Sequence, residues 1–286
     1  MHGQIIKSLS GFYYVNSRDE LYECKAKGLF RHQGLSPVVG DTVEFTESGV
    51  IESIDERKNS FIRPAVANID ALVFVATNTK PVTDPFLIDR VTGIAEKSNC
   101  EVVICINKTD LDSADELYAI YSGAGFRTVR CSAETGEGLN ELLQCIGGKT
   151  CAFTGNSGVG KSSILNRLIP GASLDTAEIS EKLGRGKHTT RHVELFKLNE
   201  NTYIADTPGF ASFDIEMMEE IQVDELAGLF VDFKEHLDGC RFNNCRHISE
   251  PDCALRKAVS DNLVLPTRYD SYVRLYDTVK NHKPWD

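Results

Sequence analysis

Thr150-Cys151-Ala152-Phe153-Thr154-Gly155-Asn156-Ser157-Gly158-Val159-Gly160-Lys161-Ser162-Ser163 is, in order, an apolar run, a glycine-rich turn and the opening of a helix. Gly155 to Ser162 fits the pattern G-x-x-x-x-G-K-[ST], and it has the setting that pattern needs: a strand predicted over residues 150–154 and a helix over residues 163–168. The glycines let successive backbone N–H groups curl around phosphate oxygens at a helix N-terminus. Lys161 would reach the β- and γ-phosphates, and the Ser162 hydroxyl would bind Mg²⁺. The expected phosphate-binding set is therefore Gly155, Asn156, Ser157, Gly158, Val159, Gly160, Lys161, Ser162 and Ser163. Taken alone, such a turn also serves purely structural ends.

Three more motifs stand at the ends of predicted strands. Asn107-Lys108-Thr109-Asp110 follows the run Glu101 to Ile106. A carboxylate at Asp110 can accept both N1–H and the exocyclic amine of guanine, a pair of donors adenine lacks. Asn107 would serve the purine edge and tie loops together, and the Lys108 stem would cover the ring face. A capping Asp at a helix start is the competing reading. Ser132 and Ala133, in Ser132-Ala133-Glu134 after the strand predicted over residues 127–131, suit a second base loop whose backbone N–H meets guanine O6. Asp206-Thr207-Pro208-Gly209 ends a strand predicted over residues 202–205; Asp206 could orient a Mg²⁺-bound water and the Gly209 N–H could touch the γ-phosphate. Its competitor is a plain turn. Together, four such motifs at the strand ends where α/β sheets bind ligands predict guanine-nucleotide binding.

Their order is permuted, because the base motifs at Asn107 and Ser132 precede the phosphate motifs at Gly155 and Asp206. Gly184-Arg185-Gly186-Lys187-His188-Thr189-Thr190-Arg191-His192 suits a switch loop, with Thr190 favoured over Thr189 to join Ser162 and Asp206 around Mg²⁺. Phe210 follows Gly209, where many GTPases place a water-orienting Gln. His188 is the replacement candidate for catalysis, with RNA contact or plain solvation as competing roles.

The rest of the 286-residue chain frames this α/β centre. Short β-type runs at residues 12–15, 42–45 and 50–54 predict a small N-terminal β-barrel over residues 1–64, an OB-fold or another small antiparallel barrel of the same spacing. Strand and helix then alternate, with helices near residues 86–98 and 138–146 and a strand at residues 71–76, to give a mostly parallel sheet over residues 65–212. Residues 213–286 form a small helical domain, with helices at 223–233, 253–262 and 267–281. A net charge of −11 argues against nucleic-acid binding by bulk electrostatics, so any RNA site must be a local patch. No uninterrupted apolar stretch of membrane-spanning length and no signal-peptide layout occurs. Nine cysteines, six of them scattered singly through the first 151 residues, fit a reducing cytosol, and a cytoplasmic location is expected. No long heptad pattern points to a coiled coil, and a monomer is expected.

Cys240-x4-Cys245-x-His247-x5-Cys253 gathers three thiolates and an imidazole, the ligand set of a closed, structural Zn²⁺ site, with His236 as a weaker alternative ligand. In these residues the chain resembles the RsgA/YjeQ family of circularly permuted GTPases. The likeness includes Arg63-Pro64, Ala67-Asn68-Ile69-Asp70, Asp89-Arg90, the permuted motifs, Gly186-Lys187-His188-Thr189-Thr190 and the four metal ligands. It implies an OB-fold, a permuted GTPase domain and a zinc domain acting in late maturation of the 30S ribosomal subunit, with 16S rRNA bound and GTP hydrolysis to GDP and phosphate stimulated by the subunit. Arg191 stands where the family commonly has a further Thr, which leaves Thr189 open as the magnesium ligand. Two rivals are a GTP-gated RNA- or ribosome-binding module with negligible turnover and a large-subunit assembly GTPase.

Overall fold

A computed structural model describes residues 1–28, 30, 35–62, 65–169, 193–206 and 221–281 of the chain. These residues divide into two compact units, one from Met1–Leu72, Ile146–Phe153 and Ser162–Phe210, the other from Val73–Cys145, Thr154–Lys161 and Ala211–Asp286.

The first unit begins with β1 (His2–Leu9), β2 (Phe12–Ser17), β3 (Glu20–Ala26), β4 (Thr42–Phe45) and β5 (Val50–Ile54). They pair in the order β1-β2-β3-β5-β4, and β4 returns to β1 through His2↔Glu44 and Gly3↔Val43, so the ribbon closes. The β3–β5 pairing is parallel and the others are antiparallel. Closure removes the free edges. Ile5, Val15, Cys24, Val43, Phe45 and Ile51 fill the interior. The expected barrel is therefore present, with two strands, β1 and β3, that the sequence reading passed over. β1 shifts register between Ile5 and Lys7, the kind of irregularity that bends a strand around a small barrel. Below it, Asp41 is fully buried and takes a two-pronged ion pair from Arg57, with Nε to Oδ1 at 2.7 Å and an Nη to Oδ2 at 2.8 Å.

The hairpin β6 (Ser60–Ile62) and β7 (Ala65–Ala67) leads out of the barrel. Asn59 Nδ2 donates to Ile69 O (2.8 Å) while Ile69 N donates back to Asn59 Oδ1 (3.0 Å). Asp70 then exchanges two bonds with Thr150, N to O at 2.8 Å and Oδ2 from N at 2.9 Å. The residues Ala67 to Asp70 thus act as a knot that fixes where the α/β half starts. Arg63 and Pro64 lie outside the described residues.

In the second unit, β8 (Ala71–Ala76), which the border between units crosses, is buried along its whole length. It is followed by α1 (Pro85–Lys97), β9 (Glu101–Ile106), α2 (Asp115–Gly123), β10 (Arg127–Arg130) and α3 (Leu139–Ile146). The strand order is β10-β9-β8, and β9 and β10 run parallel with Ile106 opposite Arg130. Asp84 caps α1 by accepting from Phe86 N at 3.0 Å, and Pro85 supplies a preset φ at its first position. α2 was not expected from the sequence. Its entry residue Ala114 is left-handed and offers no side-chain cap, and the helix buries only Leu117, Ile120 and Tyr121.

Back in the first unit, β11 (Thr150–Thr154) precedes α4 (Lys161–Leu168), and β12 (Glu194–Asn199) and β13 (Thr202–Asp206) complete the set. β11 and β13 are parallel with Ala152 opposite Ala205, so Phe153 and Asp206 lie at the same end of the sheet. β12 is antiparallel to β13 and joins β1 at Lys7↔Glu194, where the two side chains also form an ion pair at 2.8 Å.

The C-terminal part of the second unit departs from expectation at its start. In place of one helix over residues 223–233 there are two 3₁₀ segments, Leu226–Leu229 and Val231–His236, separated by Phe230 in an extended conformation. Phe230 turns inward there and stacks on Phe233 at 4.7 Å, and Tyr272 meets both rings edge-on at 5.6 Å. α5 (Ala254–Ser260) and α6 (Pro266–Asn281) follow, close to the expected helices. Arg268 of α6 is wholly buried and binds Asp89 of α1 (2.5 Å) and Asp232 (2.6 Å), which fastens this part to the helix layer.

Candidate nucleotide and metal sites

Asn107 is the hinge pin of the nucleotide region. It is buried, its Nδ2 donates to Val159 O (2.9 Å) and its Oδ1 accepts from Ala133 N (3.0 Å), so one amide joins the phosphate loop to both base loops. The close packing explains two glycines. A Cβ on Gly160, at φ +96°, would stand 2.2 Å from Asn107 Nδ2, and one on Gly155, at φ +129°, would stand 2.3 Å from Val75 O. The loop-tying role expected of Asn107 is what these bonds perform.

Lys108 has a left-handed backbone (φ +66°), and its Nζ donates to Gly158 O and Lys80 O, both at 2.9 Å. Thr109 donates twice to Cys131 O, from N at 3.2 Å and from Oγ1 at 2.9 Å. Asp110 is exposed and accepts from Ser132 Oγ at 2.6 Å, and that hydroxyl also takes Thr135 N at 3.1 Å. The two base motifs thus meet side by side, with the Asp110 carboxylate open on one face. Lys161 Nζ donates to Gly155 O (2.6 Å) and Asn156 O (2.7 Å), which hold the ammonium inside the curl of the loop. Burial lowers its pKa to about 8, so an arriving phosphate would supply the missing counter-charge. Asn156 and Ser157 sit in the turn before it, and Ser162 and Ser163 open α4.

Of the magnesium candidates, Ser162 lies on α4, Asp206 is the last residue of β13, and Thr190 lies outside the described residues. His188, Thr189, Gly209 and Phe210 also lie outside them. The segment 77–84, which none of the motifs includes, receives Lys108 through Lys80 O. Its signal was available, since polar residues at the C-terminal end of a buried parallel strand mark the ligand edge of such sheets.

The metal ligands converge. Cys240, Cys245, His247 and Cys253 place one donor atom each within 4.8 Å of one another. His247 Nδ1 is 3.5 Å from Cys240 Sγ and 3.4 Å from Cys253 Sγ, and those two sulfurs are 3.9 Å apart. A tetrahedral zinc ion with metal–sulfur bonds of ~2.3 Å and a metal–nitrogen bond of ~2.0 Å needs edges of about 3.8 Å and 3.5 Å, which Cys240, His247 and Cys253 meet, with Cys245 Sγ completing the set within 4.8 Å. Backbone N–H groups of Ala254 and His247 donate to Cys240 Sγ and Cys245 Sγ, both at 3.4 Å, as thiolate ligands favour. Glu250 braces the loop. Burial works against its charge, but the N–H groups of Arg246, Ile248 and Ser249 outweigh that and hold its carboxyl down at about 2. From α6, Tyr269 donates to His247 O (2.7 Å) and Tyr272 to Arg246 O (2.6 Å). His236 lies at the end of its 3₁₀ segment and is not part of the cluster.

A barrel, a parallel sheet with guanine and phosphate motifs in permuted order, and a Cys₃His cluster define a circularly permuted GTPase. The comparisons agree. The family model described as RsgA GTPase matches residues 54–216, and the RsgA N-terminal domain matches residues 2–53. The small ribosomal subunit biogenesis GTPase RsgA of Alkaliphilus metalliredigens is 41% identical over 98% of each chain, and that of Agathobacter rectalis is 42% identical over the full length of both. The crystal structure of YjeQ from Thermotoga maritima superposes with a TM-score of 0.85 at 36% identity, covering 99% of each chain. That of YloQ, a circularly permuted GTPase, gives 0.81 at 34%, covering 99% of this chain and 96% of that one. The chain belongs to the RsgA family of GTPases. It is a GTP hydrolase, and a GTPase of this family takes Mg²⁺ with its nucleotide. Among the described residues no helix is long and apolar enough to cross a membrane.

Proposed function

We propose that this protein is a cytoplasmic, monomeric GTPase that binds the 30S subunit through 16S rRNA, assists late maturation of that subunit, and leaves it after hydrolysing GTP to GDP and phosphate. The observation that carries this reading is the full-length likeness to relatives named for small-subunit biogenesis, which spans barrel, nucleotide motifs and metal cluster alike. The division into a barrel over residues 1–64, a GTPase domain over 65–212 and a metal domain over 213–286 assigns one task to each part. RNA contact falls to the barrel, a fold whose faces and loops hold oligonucleotides. Zinc is the metal of the Cys₃His cluster, by the donor set and its edges.

In the nucleotide site, Asn107, Lys108, Thr109, Asp110, Ser132 and Ala133 serve the base, and Gly155 to Ser163 serve the phosphates. Ser162, Thr190 and Asp206 hold Mg²⁺, and Gly209 meets the γ-phosphate. His188 orients the attacking water, because Phe210 cannot. His188→Ala is expected to lower 30S-stimulated turnover about tenfold to a thousandfold while nucleotide and subunit binding persist. Full stimulated turnover in that variant removes His188 from the role. The binding half is tested by sedimentation with purified subunits. Co-sedimentation with 30S but not 50S in a non-hydrolysable GTP analogue, and its loss in GDP, is the expected outcome; equal affinity for both subunits contradicts it.

A further inference from the structure

Thr77-Asn78-Thr79-Lys80-Pro81-Val82-Thr83-Asp84, between β8 and α1, belongs to none of the four nucleotide motifs. Its shape is set internally. Thr77 N donates to Thr83 Oγ1 (3.0 Å), Thr83 N donates to Thr77 O (2.9 Å), and the Thr77 and Thr79 hydroxyls are 3.0 Å apart. Asp84 at its end caps α1 and pairs with Arg274, and two other polar groups, Lys80 O and Asn78 Nδ2, turn to the loop 107–112. Lys80 O shares the Lys108 ammonium with Gly158 O. Asn78 Nδ2 donates to Asp112 Oδ1 at 3.0 Å, and the same oxygen accepts Ala114 N at 2.7 Å. Pro81 Cδ would lie 3.4 Å from a Cβ on Gly158.

The segment therefore grips the loop 107–112 at two points, Lys108 and Asp112, and Asp110 lies between them. Neither grip touches a group that would contact the base directly, other than the end of Lys108, whose stem is thereby left to lie across the ring. We propose that residues 77–84 are a fifth element of the guanine-nucleotide site, in which Asn78 is a positioning residue: through Asp112 it holds Asp110 and Lys108 in register with the base. This rests on the assignment of Asp110 to guanine. Because the base is common to substrate and product, loss of the grip weakens GTP and GDP alike and leaves the chemical step untouched.

The test is a pair of substitutions at Asn78 of the full-length chain, read by titration with fluorescent GTP and GDP, by turnover at saturating GTP, and by melting of the nucleotide-free protein. Asn78→Asp sets two carboxylates against each other and should weaken both nucleotides about tenfold, with kcat unchanged. Asn78→Gln keeps an amide donor for Asp112 Oδ1 and leaves the bond from Ala114 N to that oxygen in place. Affinity should stay within about threefold of the parent. Asp110→Asn serves as the control for the underlying assignment. If Asp110→Asn loses GTP while Asn78→Asp binds both nucleotides like the parent, the positioning role is wrong. It is equally wrong if Asn78→Gln binds as weakly as Asn78→Asp while melting like the parent. If Asp110→Asn itself binds GTP normally, the guanine assignment fails instead.

Discussion

At Asn107 a single amide satisfies Val159 O and Ala133 N, so the residue does for three loops what no backbone bond could do across that gap. Asp110 is its complement, a carboxylate held by one serine and otherwise open. Asp110→Asn should weaken GTP by about thirtyfold to a thousandfold and admit xanthosine nucleotides, because the amide can donate to a 2-oxo group where the carboxylate repels it. Titration with both nucleotides checks this, and an unchanged GTP affinity contradicts it. Lys161 makes the pH prediction. Its pKa is lowered from 10.5 to about 8 by burial, and bound phosphates stabilise the charged form. Above pH 8 the free protein loses that proton, so nucleotide binding must take one up and affinity falls as pH rises; below about pH 7 it should be flat with respect to this group. Calorimetry in buffers of different ionisation enthalpy at about pH 8.5 should report proton uptake, which Lys161→Met abolishes.

Among the elements, the C-terminal part of the second unit is held by two devices. One is the buried Arg268. Burial works against its charge, yet Asp89 and Asp232 outweigh it and raise its pKa. Arg268→Met leaves Asp89 buried without its cation and should cost about 3–5 kcal/mol, seen as a lowered denaturation midpoint. The other is the metal cluster. Chelation or Cys245→Ser should loosen residues after about 235 to hydrogen exchange while nucleotide affinity is kept, and metal analysis should find one zinc per chain.

Legibility in the sequence followed the same division. Motif-bearing strands were readable because their apolar runs end at glycine, asparagine or aspartate, and the cluster at Cys240 to Cys253 was readable because tight ligand spacing leaves few other uses. β1 and β3 were not, since β1 is mostly half-buried and β3 mostly exposed, and each buries a single residue, so neither carries a clear alternation. α2 hid because it lacks a capping side chain and a full apolar stripe. The helix expected over residues 223–233 broke in two because Phe230 is worth more stacked on Phe233 than continued in a helix. The grip of Asn78 on Asp112 was unreadable, because it joins residues 34 positions apart and no motif marks either.

For the whole molecule, the permuted order of motifs carries the consequence that matters. The motif at Asp206 to Gly209 leads along the chain straight into the residues that form the metal cluster and α6, with no further sheet element described in between. With a net charge of −11, any contact with RNA must come from local surface, and complex formation would be steered by particular residues rather than by total charge. The proposed stimulation is that the small subunit completes a hydrolytic site that is slow in the free protein. It is tested most directly by steady-state GTP turnover of the full chain alone, with purified 30S subunits, and with 50S subunits at equal concentration. Slow turnover alone and with 50S, and at least tenfold faster turnover with 30S, are expected. Turnover that is the same in all three mixtures would contradict it.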